Sequence, residues 1–176
     1  LLHLTSGCGV CYKVPMPVPE FVLELRRHIG HAPLWLPGVT GVVIRGEQVL
    51  LVKRADNGAW TAVTGIVDPG ENPADCASRE VLEETGVRAT PRRLVWVHVS
   101  RPIVHVNGDH AQYLDHVFRM DWVAGSPFPA DDENDAAQWF DITAMPEMTA
   151  DMRRRIELAL DIGSAETVFE VTEPSG

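Results

Sequence analysis

Three glutamates, Glu80, Glu83 and Glu84, form the densest group of chemically useful side chains in the chain. Their spacing is i, i+3, i+4, so a helix turning about 100° per residue places all three in one sector of its surface. Like charges at this spacing cost roughly 0.2–0.5 kcal/mol per pair. Arg79 and Glu83 are also i, i+4, but in the less favourable basic-first order. The cluster is therefore not arranged for helix stability. Grouped carboxylate oxygens suit a hard divalent cation, Mg²⁺ or Mn²⁺, that keeps positions open for water and substrate phosphates. Such an ion clamps a pyrophosphate, neutralises developing charge and activates an attacking water. A solvated acidic helix face has the same composition, and the helix alone does not choose between the two.

The segment ahead of the glutamates weighs toward the site. Gly65, Pro69 and Gly70 break the chain just before the helix, and glycine lets backbone approach a ligand closely. The segment reads Gly65-Ile66-Val67-Asp68-Pro69-Gly70-Glu71, then seven residues, then Arg79-Glu80-Val81-Leu82-Glu83-Glu84-Thr85-Gly86-Val87. It resembles the Nudix box, G-x5-E-x7-R-E-U-x-E-E-x-G-U with U a bulky apolar residue, at every specified position. The resemblance extends over about residues 39–160, where Trp60 and the pair Trp139-Phe140 also look like family features.

The resemblance implies a divalent-metal-dependent hydrolase of a pyrophosphate bond in a nucleoside diphosphate linked to another moiety. Metal ligands would come from Glu80, Glu83 and Glu84, with the Gly65 carbonyl as a backbone ligand and Glu80 and Glu84 weighted most. Glu71 and Arg79 would support the loop–helix geometry through a mutual salt bridge. The general base would be a box glutamate, Glu83 or Glu84, or a residue from a distant loop, for which Glu133 in the acidic run Asp131–Asp135 is the candidate. Arg54 would meet a substrate phosphate through its guanidinium. Pro102, fifteen residues after Val87, resembles a marker of ADP-ribose pyrophosphatases, so ADP-ribose or a nucleotide sugar is the first expectation. A (d)NTP pyrophosphohydrolase is the alternative within the family. A catalytically silent ligand-sensing domain is the alternative of another class, disfavoured because every box glutamate is present.

The surrounding elements must hold this site. Glu20–Ile29 reads as a short helix with Phe21, Leu25 and Ile29 on one stripe. Val39–Arg45 and Val49–Lys53 read as a hairpin, and Trp60–Thr64 as a short strand. Asn72 suits an N-cap, Pro73 the first helical position and Gly86 the C-terminal stop, so the box helix should run from Pro73 to Thr85. Leu94–Ser100 and Gln112–Val123 read as long strands about the turn dipeptide Asn107-Gly108. In the second of these, Leu114, His116, Phe118, Met120 and Trp122 define one largely apolar face. Gln138–Asp141 is a last short strand and Thr149–Leu160 a last helix. This irregular mixture of strands and helices predicts an α/β (α+β) fold, an α/β/α sandwich around a mixed sheet. The division expected is an extended N-terminal tail at 1–19, one domain at 20–160 and a C-terminal tail at 161–176.

Composition narrows the partners. The chain has 176 residues, 45% of them apolar, and a formal net charge of −10. That charge argues against nucleic-acid backbones and anionic membranes, though not against a small phosphorylated substrate met through a bound cation. No apolar run is long enough to span a bilayer, so a cytoplasmic protein is expected. The chain begins with Leu; residues 1–15 read as an upstream extension, with Met16 the expected natural start. Cys8 and Cys11 form a C-x-x-C without the further ligands of a zinc site, and Cys76 reads as a packing residue. His98, His105, His110 and His116 are scattered and expected to be structural. Trp35, Tyr113 and Phe128 are expected to pack, with base stacking the alternative. A homodimer formed through the Glu20–Ile29 helix is compatible with the sequence.

Overall fold

The computed structural model describes residues 18–163 and 165–171. Cys8, Cys11 and Met16 lie outside the described residues. The elements follow in the order α1 (Glu20–Ile29), β1 (Leu34–Arg45), β2 (Gln48–Arg54), β3 (Trp60–Thr61), β4 (Val63–Ile66), α2 (Pro73–Thr85), β5 (Arg88–Val99), β6 (Ile103–Val104), β7 (His110–Ala124), β8 (Asn134–Asp141), α3 (Ala150–Leu160) and β9 (Val168–Phe169).

A mixed sheet forms the middle layer, with the main strand order β3-β2-β1-β7-β5-β9. Its centre is the parallel pair β1–β7, in register from Leu34↔Ala111 to Ile44↔Asp121. The other edge of β1 is shared: β2 pairs with Ile44–Arg45, and β4 with Gly38–Gly41. Apolar runs in β1 and β2 bury both faces, as expected for covered central strands. Val39, Val43, Leu50 and Val52 point into a core closed by Cys76, Ala77 and Val81 of α2. Val42, Ile44, Val49 and Leu51 point into a second core closed by Met152, Ile156 and Ala159 of α3. The α/β/α sandwich expected from the sequence is the fold observed. No helix among the described residues is long and apolar enough to cross a membrane.

The structure adds one detail and corrects two. On β7, Phe118 and Met120 face the α2 core, and two of the alternate positions are buried as well. Val117 is buried under α3, and Asp115 is 3% exposed. Asp115 accepts hydrogen bonds from Thr40 Oγ1 at 2.9 and 3.2 Å, meets His98 Nε2 at 3.2 Å and pairs with Arg155 Nη1 at 3.1 Å. Burial alone would raise its pKa, but the His98 hydrogen bond, the Arg155 charge and Thr40 together hold it below the usual carboxylate value.

On α1, Leu25 and Ile29 face outward, and Val22 is the buried anchor, packed with Leu36 and Ala111. Arg26 turns the helix by reaching inward, donating to Ala32 O at 2.6 Å and His110 O at 2.8 Å. Finally, the expected C-terminal tail is in part a strand. β9 pairs in parallel with Trp96–Val97, and Thr167 Oγ1 donates to Leu94 O at 2.8 Å. Arg93 fastens the approach by donating to Asp161 O at 2.7 Å.

Candidate active site

Helix α2 has the expected ends. Asn72 is extended at the N-cap position, but its side chain bonds Asp75 Oδ2 at 3.0 Å instead of a backbone N–H. Gly86 ends the helix at φ 68°, a left-handed conformation that glycine adopts without strain, and its N–H caps Leu82 O. The helix lies on the sheet beside β4, which brings Gly65 against Glu80. A Cβ built on Gly65 would sit 2.3 Å from Glu80 Cδ and 2.4 Å from Oε1. Gly65 is therefore glycine because a carboxylate occupies the space a side chain would take.

Arg79 organises the outer side of this junction. It meets Glu71 through two parallel contacts, Nε–Oε1 and Nη2–Oε2, each 2.9 Å. This is the bidentate geometry that makes arginine–carboxylate pairs strong and directional. The same guanidinium uses Nη1 to contact Glu80 Oε1 and Glu83 Oε2, both at 3.0 Å. The expected Glu71–Arg79 pair is thus present, and it also fastens the box loop to the helix.

The three box glutamates share a sector but not an environment. The side chain of Glu83 is 56% exposed and turned to Arg79. Glu80 is half-buried between Arg79 and Gly65. Glu84 is 4% exposed and accepts a 2.8 Å hydrogen bond from Asn134 Nδ2. Among the described residues, no three Asp, Glu, His or Cys side chains form a finished coordination shell.

The distal loop closes the other side. Phe128 N–H donates to Thr85 O and Ala130 N–H to Glu84 O, tying that loop to the end of α2. Asp131 then accepts from Glu133 N–H at 3.0 Å, and Glu133 O accepts from Ala55 N–H at 2.8 Å. Glu133 is thereby placed where its charge acts on both Glu80 and Glu84. Arg54, at the end of β2, pairs with Asp56 through Nε–Oδ1 at 3.0 Å and Nη2–Oδ2 at 2.8 Å. Its charge also reaches Glu84 and Glu133.

The electrostatics follow from crowding acids in a half-buried place. Burial pushes Glu80 up to about 7, with Glu83 and Glu133 adding and Arg79 opposing. Burial, then the Asp131 charge, push Glu133 up to about 7, with Arg54 opposing. Burial raises Glu84 well above the usual range, against the Asn134 hydrogen bond, with Glu133, Glu80 and Asp131 adding. The donor set is hard oxygen and acidic in excess, with Glu80 lying where a side chain on Gly65 would be. It fits a divalent cation bridging to phosphate.

Substituting Gly65→Ala tests the junction. The new methyl must displace the Glu80 carboxylate, which is flexible, while Gly65 has no positive φ that alanine would strain. Activity should fall roughly 10- to 100-fold, as when a ligand's support is disturbed. The melting temperature should move by less than about 3 °C, a cost near 1 kcal/mol for a domain of this size. Steady-state kinetics beside a thermal melt checks this; full activity would mean that Glu80 has no fixed place in the reaction.

Sequence reading located Glu80, Glu84, Gly65, Glu71, Arg79 and the Glu133 loop, and the structure brings these together. It overlooked Asn134 and Asp56. Asn134 lies fifty positions from its partner Glu84 within an acidic run, and no local spacing links the two. The other candidates have structural settings. His98 and His116 bond within the sheet, His105 meets Tyr113 OH at 3.0 Å, and Phe128 packs beside Gly86. Trp35 is 56% exposed.

Comparison with known proteins agrees with this geometry. The NUDIX domain matches residues 35–159. An NAD-capped RNA hydrolase NudC of Pseudomonas syringae pv. tomato is 32% identical over 152 residues, covering 81% of this chain and 50% of the relative. The chain thus spans about half the length of the curated relatives it matches. A solved UDP-X diphosphatase superposes with a TM-score of 0.58 at 25% identity, over 80% of this chain and 68% of that one. An ADP-ribose pyrophosphatase from Streptococcus suis shares the fold, with a TM-score of 0.55 at 20% identity over 75% of this chain and 96% of its own. A complete box, a loop–helix that seats Glu80 on Gly65, and a match across the whole sandwich make this chain a member of the Nudix hydrolase family.

Proposed function

We propose that the chain hydrolyses one phosphoanhydride bond of a nucleoside diphosphate linked to a second moiety, with Mg²⁺ or Mn²⁺ as its cofactor. The observation that carries this is the seating of Glu80 against the bare backbone of Gly65, with Glu84, Glu133 and Arg54 close enough for their charges to act on one another. Glu80 and Glu84 are the principal metal ligands, with Glu83 and the Gly65 carbonyl completing the set. When bound, the cation supplies charge neutralisation on the phosphates and acidity for a nearby water. Glu133 takes the proton from the attacking water, its backbone held by Ala55. Oxygen from that water bonds one phosphorus, the anhydride P–O bond breaks, and the other phosphate leaves as a monoester. Arg54 faces the phosphates while Asp56 fixes its guanidinium plane.

The names of the relatives support a diphosphate linked on both sides, as in ADP-ribose or a nucleotide sugar. RNA bearing such a cap is the second reading, favoured by the NudC relatives and opposed by the charge of −10. A screen with Mg²⁺ or Mn²⁺ separates these readings. ADP-ribose, UDP-sugars, NADH, NAD-capped RNA, (d)NTPs and dinucleoside polyphosphates are compared by released nucleotide. The expected result is highest kcat/KM on a two-sided diphosphate. A tenfold preference for triphosphates would replace that substrate class, and tight binding of one ligand without turnover of any would indicate a sensor.

A pH dependence of stability follows from the same acids. A carboxyl whose folded pKa exceeds its unfolded value, about 4.3 for glutamate, holds extra protons when folded. Its stabilisation is complete below the unfolded pKa and is lost as pH rises through the folded one. Glu80 and Glu133, near 7, and Glu84, also raised, place that loss between about pH 4.5 and 8. Melting temperature in EDTA should therefore fall over this window, and Mn²⁺ should remove the fall by binding only the folded state. A flat profile in EDTA would contradict the crowding of these acids.

A further inference from the structure

Asn134 is buried at 6% exposure beside a carboxylate buried at 4%, and no hydrolytic chemistry calls for an amide there. Its Nδ2–H donates to Glu84 Oε2 at 2.8 Å. A buried carboxylate oxygen attracts a donor and repels a carbonyl, which fixes the amide orientation. We propose that Asn134 is a positioning residue: it commits one oxygen of Glu84 and so orients the other toward the divalent cation. This rests on the reading of Glu84 as a metal ligand given above.

Three features converge on this residue. First, Asn134 opens β8 opposite Arg54, at the point where the β2–β8 register shifts between Lys53 and Arg54. The end of β2, the acidic loop and α2 meet through it. Second, the same loop also holds the main chain of Glu84, through Ala130 N–H to Glu84 O at 3.0 Å. Backbone and side chain of one glutamate are thus secured from one neighbouring segment. Third, Asn134 directly follows Glu133, whose N–H donates to Asp131 Oδ1 at 3.0 Å. The amide therefore ties the side chain of Glu84 to the segment that carries Glu133.

The residue type follows from these surroundings. An aspartate here would add a charge to a place already crowded by Glu84, Glu133 and Asp131. A leucine would fill the volume but strand a buried carboxylate oxygen without a donor. Asparagine fills the volume, adds no charge and supplies the donor. Hydrogen-bond partners of metal ligands set both their orientation and their basicity, and removing one typically costs about 10- to 100-fold in metal affinity.

The test measures Mn²⁺ affinity without substrate, from the electron paramagnetic resonance signal of free Mn²⁺. It compares the unaltered protein, Asn134→Leu, Glu84→Gln and the double variant, with melting temperatures alongside. Asn134→Ser, which leaves a small space that water can enter, serves if Asn134→Leu does not fold. The expected result is a loss of tenfold or more from the Asn134 change alone and less than twofold in the Glu84→Gln background, because the effect acts through Glu84. Equal losses in both backgrounds would assign Asn134 to the general fold and overturn the proposal. Unchanged affinity in Asn134→Leu, with Glu84→Gln still weakened, would overturn it while sparing the metal site. Unchanged affinity in Glu84→Gln would overturn both.

Discussion

Replacing Glu84 with glutamine should lower kcat/KM by roughly 10³-fold, about 4 kcal/mol of transition-state stabilisation, without loss of the fold. The substitution preserves volume, which matters at a side chain only 4% exposed. It also preserves an oxygen for Asn134 Nδ2 to meet, so the buried hydrogen bond survives. What disappears is one negative charge crowded by Glu80, Glu133 and Asp131, the charge that would hold the cation. The same argument predicts the opposite sign for stability. In EDTA at pH 8, Glu84→Gln should melt higher than the unaltered protein, because a buried like-charge repulsion has been removed. Activity lost and stability gained at one residue is the mark of a site held together for function. Turnover within threefold of normal would remove Glu84 from the reaction.

Asp115→Ala should have the largest effect on stability, a loss of roughly 3–5 kcal/mol. The carboxylate is met by Thr40, His98 and Arg155, and the Arg155 side chain is itself only 11% exposed. Removing Asp115 leaves that guanidinium with its Asp151 and Thr40 contacts but without its buried counter-charge. For a domain of this size, the loss corresponds to a fall of about 6–20 °C in melting temperature. Because the network lies under α3, on the face of the sheet away from α2, Mn²⁺ affinity at temperatures where the variant remains folded should change little. Chemical denaturation gives the free energy; a loss below about 1 kcal/mol would mean that the network contributes little beyond filling space.

The two sites differ in how far the sequence disclosed them. The box helix was legible to the residue, Pro73–Thr85, because proline and glycine mark its ends and the glutamates share its period. Gly65 and the Glu71–Arg79 pair followed from the same segment. The Asp115 network was not legible, since its members come from β1, β5, β7 and α3 and meet only once β1 and β7 lie parallel. Alternation along β7 disclosed its apolar face; that Asp115 and Val117 on the other face are also buried depends on α3 covering this central strand from the other side. The outward turn of Leu25 and Ile29 in α1 has a similar origin, because Arg26 and Val22 decide which side docks. Glu80, Glu83 and Glu84 were correctly placed in one sector. Their separation into half-buried, exposed and buried groups depends on where Gly65, Arg79 and Asn134 approach the helix. Asn134 itself is a tertiary feature, visible only when β8 is laid against β2.

The most direct test of the account follows the oxygen. The preferred two-sided diphosphate is turned over by the protein with Mg²⁺ in H₂¹⁸O, and both products are analysed by mass. The account predicts two phosphomonoesters, one ¹⁸O in the phosphate of one product only, and no reaction when EDTA replaces Mg²⁺. Label outside the phosphates, or turnover that continues in EDTA, would contradict attack of water on phosphorus at a metal site built from Glu80 and Glu84.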